Sequence, residues 1–155
     1  MNTVHRLLPL LISALALGAC APHGDMNHAR MESHPSPDLN LALQRNTDAG
    51  TYRVELSPPA EPLRVNKIHS WNIRLLDANG QPVPDARIAV DGGMPEHGHG
   101  FPTQPRVSVG SAPGVYVLEG MKFNMTGWWE IKLEVQSARG ADRITFNTVL
   151  PPSAS

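Results

Sequence analysis

Seven residues near the middle of the chain, Met94-Pro95-Glu96-His97-Gly98-His99-Gly100, set two imidazoles one residue apart between glycines and downstream of a thioether. Imidazole and thioether are borderline and soft donors, the kind that copper takes. In an extended or turning loop, residues i and i+2 project to the same side. His97 and His99 can therefore reach one ion, with Gly98 removing steric interference between them. Two imidazoles leave a zinc site incomplete, because zinc usually takes four ligands and often a thiolate or carboxylate among them. Copper offers another solution, because Cu(I) accepts low coordination and thioether sulfur, and Met94 lies three residues upstream of His97. Methionine also needs no deprotonation to bind. Glu96 is a candidate accessory oxygen ligand for Cu(II) or Zn(II). The competing reading is that the glycines form a required turn and the histidines only hydrogen-bond across it.

A second tract strengthens the metal reading. Residues 23–34, "HGDMNHARMESH", carry His23, Met26, His28, Met31 and His34, five candidate accessory ligands in a stretch with no sustained apolar period. Met125 is a further candidate. It alternates with Lys122 and Asn124 on the face of Met121 and Phe123, where core packing is the default, but it stands near a strand end and can tip toward the loop. No Gly-x-Ser-x-Gly, His-Glu-x-x-His or phosphate-cradling glycine loop occurs, so the chain is not expected to be an enzyme.

The elements that must hold these residues read as strands. Tyr52, Val54 and Leu56 share one face of a first strand, and Trp71, Ile73 and Leu75 one face of a second, with His69 in phase with them as a half-buried, hydrogen-bonded histidine. Asn79-Gly80 marks a turn. Ile88 and Val90 form a third strand before the histidine loop, and Val107 and Val109 a fourth after it. Tyr116 and Leu118 define the next segment, and Met121, Phe123 and Met125 the one after that. In "WEIKLEV", Trp129, Ile131, Leu133 and Val135 point one way and Glu130, Lys132 and Glu134 the other, which leaves Trp128 outward. Ile144 and Phe146 mark a last strand. Seven or eight short strands and no convincing helical stretch predict an all-β, antiparallel β-sandwich over residues 47–155.

The start of the chain predicts its location. Residues 1–19 have His5 and Arg6 followed by an apolar run from Leu7 to Leu17, too short for a permanent span, and read as a secretory signal. Leu17-Gly18-Ala19-Cys20 resembles a bacterial lipobox, and Cys20 is the single cysteine of the chain. The resemblance implies acylation of Cys20, a membrane anchor, and a periplasm-facing lipoprotein of the cell envelope. Ala21 and Pro22 after the cysteine favour the outer membrane. Residues 20–46 then form a flexible His/Met-rich tether. Loss of residues 1–19 removes Arg6 and no acid, taking the formal charge from −1 to −2 and giving no electrostatic footprint for nucleic acid.

"MPEHGHG", then Thr103 and Pro105, "GVY" at 114–116 and "FNMTGWW" at 123–129 together resemble the extracytoplasmic YtkA-like or FixH-family domain. Met94, Pro95, His97, Gly98, His99, Gly100, Tyr116, Phe123, Met125, Gly127 and Trp129 follow the family pattern in order, with Thr126 where a proline is frequent. The resemblance implies an immunoglobulin-like sandwich outside the cytoplasm. It also implies copper handling, with a copper-handling envelope protein as the expected partner, although no anchoring helix of the FixH kind is present. The alternative is a structural or interaction module of the envelope that binds no metal.

Overall fold

The computed structural model describes residues 38–152. Their elements, in order, are β1 (Gln44–Asn46), β2 (Tyr52–Ser57), β3 (Ile68–Asp77), β4 (Arg87–Met94), a 3-10 turn (Pro95–His97), β5 (His99–Gly100), β6 (Arg106–Val109), β7 (Val115–Lys122), β8 (Gly127–Ser137) and β9 (Gly140–Leu150). One sheet has the order β1-β2-β3-β7-β6 and the other β5-β4-β8-β9, with every pairing antiparallel. The chain changes sheet between β3 and β4, between β5 and β6, and between β7 and β8. The result is a sandwich with the strand order of the immunoglobulin arrangement.

Period two decides which residues fill the space between the sheets. In β8, Trp129, Ile131, Leu133 and Val135 are buried, while Glu130, Lys132 and Glu134 lie on the other face. Tyr52, Val54 and Leu56 of β2, Trp71, Ile73 and Leu75 of β3, and Ile144 and Phe146 of β9 meet them in one continuous core. Burying each large side chain contributes about 1.5–3 kcal/mol, which lets a domain of this size fold without a disulfide.

Three features differ from the expectations. First, β1 lies inside the stretch assigned to the tether, and Leu43 packs against the core, so the sandwich begins before residue 47. Second, the segments around Leu118 and Met121 are one strand, β7. A bulge at Glu119-Gly120, opposite Ser70, adds a residue and resets the inward phase from Tyr116 and Leu118 to Met121. Third, β7 ends at Lys122, so Met125 lies in the connection to β8 rather than on a strand.

Residues 40–48 pass from the edge of one sheet to the edge of the other. The Asp48 N–H donates to the Arg143 carbonyl at 2.9 Å. The Arg45 guanidinium donates to the Thr145 carbonyl at 2.8 Å, and the Asn147 side-chain amide donates to the Asn40 carbonyl at 3.0 Å. This segment therefore lies along the free border of β9. Among the described residues no helix is long and apolar enough to cross a membrane.

Candidate metal centre

The histidine motif folds as a hairpin. Its ladder pairs Met94 with His99 and Gly93 with Gly100. Pro95 opens the 3-10 turn, where its fixed φ is already suitable. Gly98 closes it at φ 65°, a left-handed conformation that side chains disfavour, with its N–H donating to the Met94 carbonyl at 3.0 Å. At Gly93 the constraint is space, because a Cβ would lie 2.1 Å from the His99 carbonyl oxygen. Gly98 within the motif and Gly93 just before it are thus required by the backbone alone.

The register has a chemical consequence. Residues directly opposite in an antiparallel pair project to the same face, so Met94 and His99 both point toward the interior. Met94 is only 1 % exposed, which corrects its placement in an open loop: it is the last residue of β4 and part of the core. His97 stands in the turn and is exposed, whereas His99 is half-buried. The two differ in burial because His97 lies in the turn and His99 in the strand beyond the left-handed Gly98. Their rings nevertheless remain close, with centroids 6.0 Å apart.

His99 is the chemically distinctive residue. Its Nδ1 lies 3.0 Å from the Gly100 carbonyl, which can only accept, so in the neutral ring Nδ1 carries the proton and Nε2 the lone pair. That Nε2 is buried and has no hydrogen-bond partner among the described residues. Among the described residues the other such side-chain atom is Trp71 Nε1, a donor on β3 rather than on the hairpin. An unmatched buried acceptor costs about 1–3 kcal/mol, which makes it a natural position for an electron-pair acceptor.

One large aromatic ring meets His99, and two more pack on that ring. Trp129 meets His99 edge-on at 5.6 Å, and Phe101 stacks on Trp129 at 5.8 Å with planes 2° apart. Phe123 packs edgewise on Trp129 at 5.2 Å. The Trp129 indole N–H donates to the Met125 carbonyl at 3.1 Å, which brings the Met125 segment to the same corner. Met125 itself is 38 % exposed. Phe101 was not among the sequence candidates, although it continues the alternation of His97 and His99. Glu96 is exposed in the turn. An open depression of about 310 Å³ beside the hairpin is lined by Asp91, Pro95, His99, Glu130 and Lys132 among others, with Lys132 paired to Glu130 at 2.9 Å.

Among the described residues, no three His, Cys, Asp or Glu side chains gather closely enough to hold an ion by themselves. The other donor types at this corner are the carboxylates of Glu96, Asp91 and Glu130 and the thioethers of Met94 and Met125. His69 is committed elsewhere, its Nε2 lying 3.1 Å from the Arg64 carbonyl. Trp128, outward as expected, donates to Asn147 Oδ1 at 2.9 Å. Cys20, His23, Met26, His28, Met31 and His34 lie outside the described residues.

No curated protein matches the chain. Among solved structures, it is similar to a DUF4426 family protein from Pseudomonas aeruginosa PAO1, with 17 % identity and a TM-score of 0.54 over 72 % of this chain and 98 % of that one. At that identity the likeness concerns the fold alone. The ZirS C-terminal domain aligns more loosely, with 13 % identity and a TM-score of 0.41 over 90 % of this chain and 86 % of that one. The YtkA-like family profile matches residues 46–134, more than half of the chain, and takes in the hairpin, the Met125 connection and most of β8. The chain belongs to the YtkA-like family.

Proposed function

We propose that the chain is a lipid-anchored, periplasm-facing module of the bacterial envelope that binds copper and buffers it or hands it on, with no turnover of its own. One observation carries the reading: His99 Nε2 is buried, the Gly100 carbonyl favours the neutral tautomer that leaves the lone pair on it, and no donor among the described residues meets it. His97 supplies the second nitrogen, Met94 and Met125 supply sulfur, and Glu96 is an accessory oxygen. Cu(I) suits this set because it accepts thioether and few ligands, whereas zinc would need a further nitrogen, oxygen or thiolate donor. Acylated Cys20 would anchor the chain, on the outer membrane by the residues that follow it. His23, Met26, His28, Met31 and His34 would act as a low-affinity collecting tract. The recipient would be another copper-handling protein of the envelope.

Titration of the protein with Cu(I), anaerobically and against a chromogenic chelator, tests this. One equivalent should bind tightly, and alanine at both His97 and His99 should abolish that equivalent. Unchanged affinity in the double variant would exclude the assignment.

A second reading has its own support. The Gly93 approach and the left-handed Gly98 explain much of the motif through the backbone alone, as a structural or interaction module would require. That reading expects the same double variant to lose thermal stability with no metal present.

A further inference from the structure

Both ligand-bearing segments of the proposed site touch a single side chain. Trp129 is fully buried on β8, and its ring contacts the His99 imidazole at 5.6 Å. Its indole N–H holds the Met125 carbonyl at 3.1 Å. The ring has little freedom to move, because Phe101 stacks flat on it and Phe123 abuts it edge-on. The residues between β7 and β8 have no ladder of their own. Phe123 is tied separately, its carbonyl accepting from the Asn66 N–H at 2.7 Å, whereas Met125 is held through the indole.

We propose that Trp129 is a positioning residue that couples the Met125 segment to the His99 hairpin, setting the separation of the thioether and imidazole donors. This rests on the copper reading above and deepens it. The physical basis is preorganisation. A sulfur on a loosely held connection must be ordered when the ion binds, while one anchored through its own backbone carbonyl to a rigid ring is already near its place. The N–H donor is what a phenylalanine cannot supply. Trp129→Phe keeps an aromatic ring against Phe101 and His99 but releases Met125.

The test is a double-mutant cycle on Cu(I) affinity with W129F, M125L and the pair, accompanied by thermal melts of the metal-free proteins. W129F should weaken Cu(I) binding about tenfold, the size typical of groups that orient a ligand without touching the metal. In the M125L background the same change should cost clearly less, because the sulfur it positions is gone. If W129F lowers thermal stability but binds Cu(I) like the unmodified protein, Trp129 is packing only and the proposal is overturned. Equal losses in both backgrounds overturn it too.

Should W129F fail to fold, the unmodified protein still decides. Cu(I) is diamagnetic, so proton NMR can follow the Trp129 indole N–H and the Met125 methyl during titration. Both should shift together and saturate at one equivalent. Uptake of copper with an unmoved indole overturns this inference alone, whereas no uptake at all overturns the copper reading beneath it.

Discussion

At the end of the four-stranded sheet where β8 turns into β9, polar groups meet partners. The Tyr52 hydroxyl donates to the Gly140 carbonyl at 2.6 Å and lies 2.8 Å from Ser137 Oγ. The Asp142 carboxylate accepts from the N–H groups of Ala49 and Thr51, both at 3.1 Å, and of Arg143 at 2.8 Å. At the opposite end of the same sheet, the hairpin leaves a buried imidazole nitrogen unmatched and a methionine partly exposed. Both ends are fixed by local geometry, but only one of them uses up its polar atoms in folding. Where electron pairs are left over is where ligand chemistry can be sought.

The largest effect should come from breaking the hairpin end by bulk. Gly93→Val puts a side chain against the His99 carbonyl, and the loss should exceed about 3 kcal/mol, read from urea unfolding. A midpoint matching that of the unmodified protein would mean that β4 and β5 are not held by this close approach.

Next is the matched end. Asp142→Ala removes the acceptor of three backbone N–H groups, of which water can meet only the exposed ones, and should cost about 1 kcal/mol. Burial disfavours the Asp142 carboxylate, but the Thr47 hydroxyl and the N–H groups of Ala49, Arg143 and Thr51 outweigh it and hold the carboxyl well below the usual range. A carboxyl lowered in the folded state contributes stability that is fully present above its unfolded value, about 4, and is lost as pH falls through the folded one. Asp142→Asn should therefore flatten the acid limb of a stability–pH curve. An unchanged limb would show that acid sensitivity arises elsewhere.

For the unmatched end, His99→Ala should lower Cu(I) affinity by more than about tenfold, since even groups that only orient a ligand reach that size. The metal-free melting temperature should change little, because removing the lone imidazole nitrogen also removes an unsatisfied acceptor. A large fall in that temperature with copper binding intact would favour the structural reading. The smallest effect is expected from mild peroxide. It should oxidise Met125, 38 % exposed, before Met94 and Met121, at 1 % and 0 %, and reduce Cu(I) affinity a few-fold. Peptide mass mapping checks the order, and early oxidation of Met94 would contradict its buried position.

The long strands were legible because one face is apolar and the other polar, as in Trp129 to Val135. β1 was not: three residues at a sheet edge, none of them apolar, carry no alternation. The Gly120 bulge hid the continuity of β7, since an inserted residue turns one period into what reads as two segments. At the site, residue types pointed to His97, His99 and Met94, but spacing could not tell the exposed imidazole from the inward one. That difference depends on the φ of Gly98 and on a cross-strand register, both products of the folded hairpin. The roles of Trp129 and Asp142 were invisible for a similar reason, because their partners are backbone groups, which no side-chain pattern marks.

β9, eleven residues long, borders its sheet. A bare border of that length is a template on which a second chain can add itself, the opening step of fibril growth. Residues 40–48 dress it, occupying the carbonyls of Arg143 and Thr145, and the prolines at 151 and 152 stop it. A chain cut back to residue 47 would keep every fully buried hydrophobic side chain yet uncover Thr145 and Asn147. Such a chain should fold and then self-associate as its concentration rises. On this reading residues 40–48 serve to cover an edge more than to fill the core, to which they contribute Leu43.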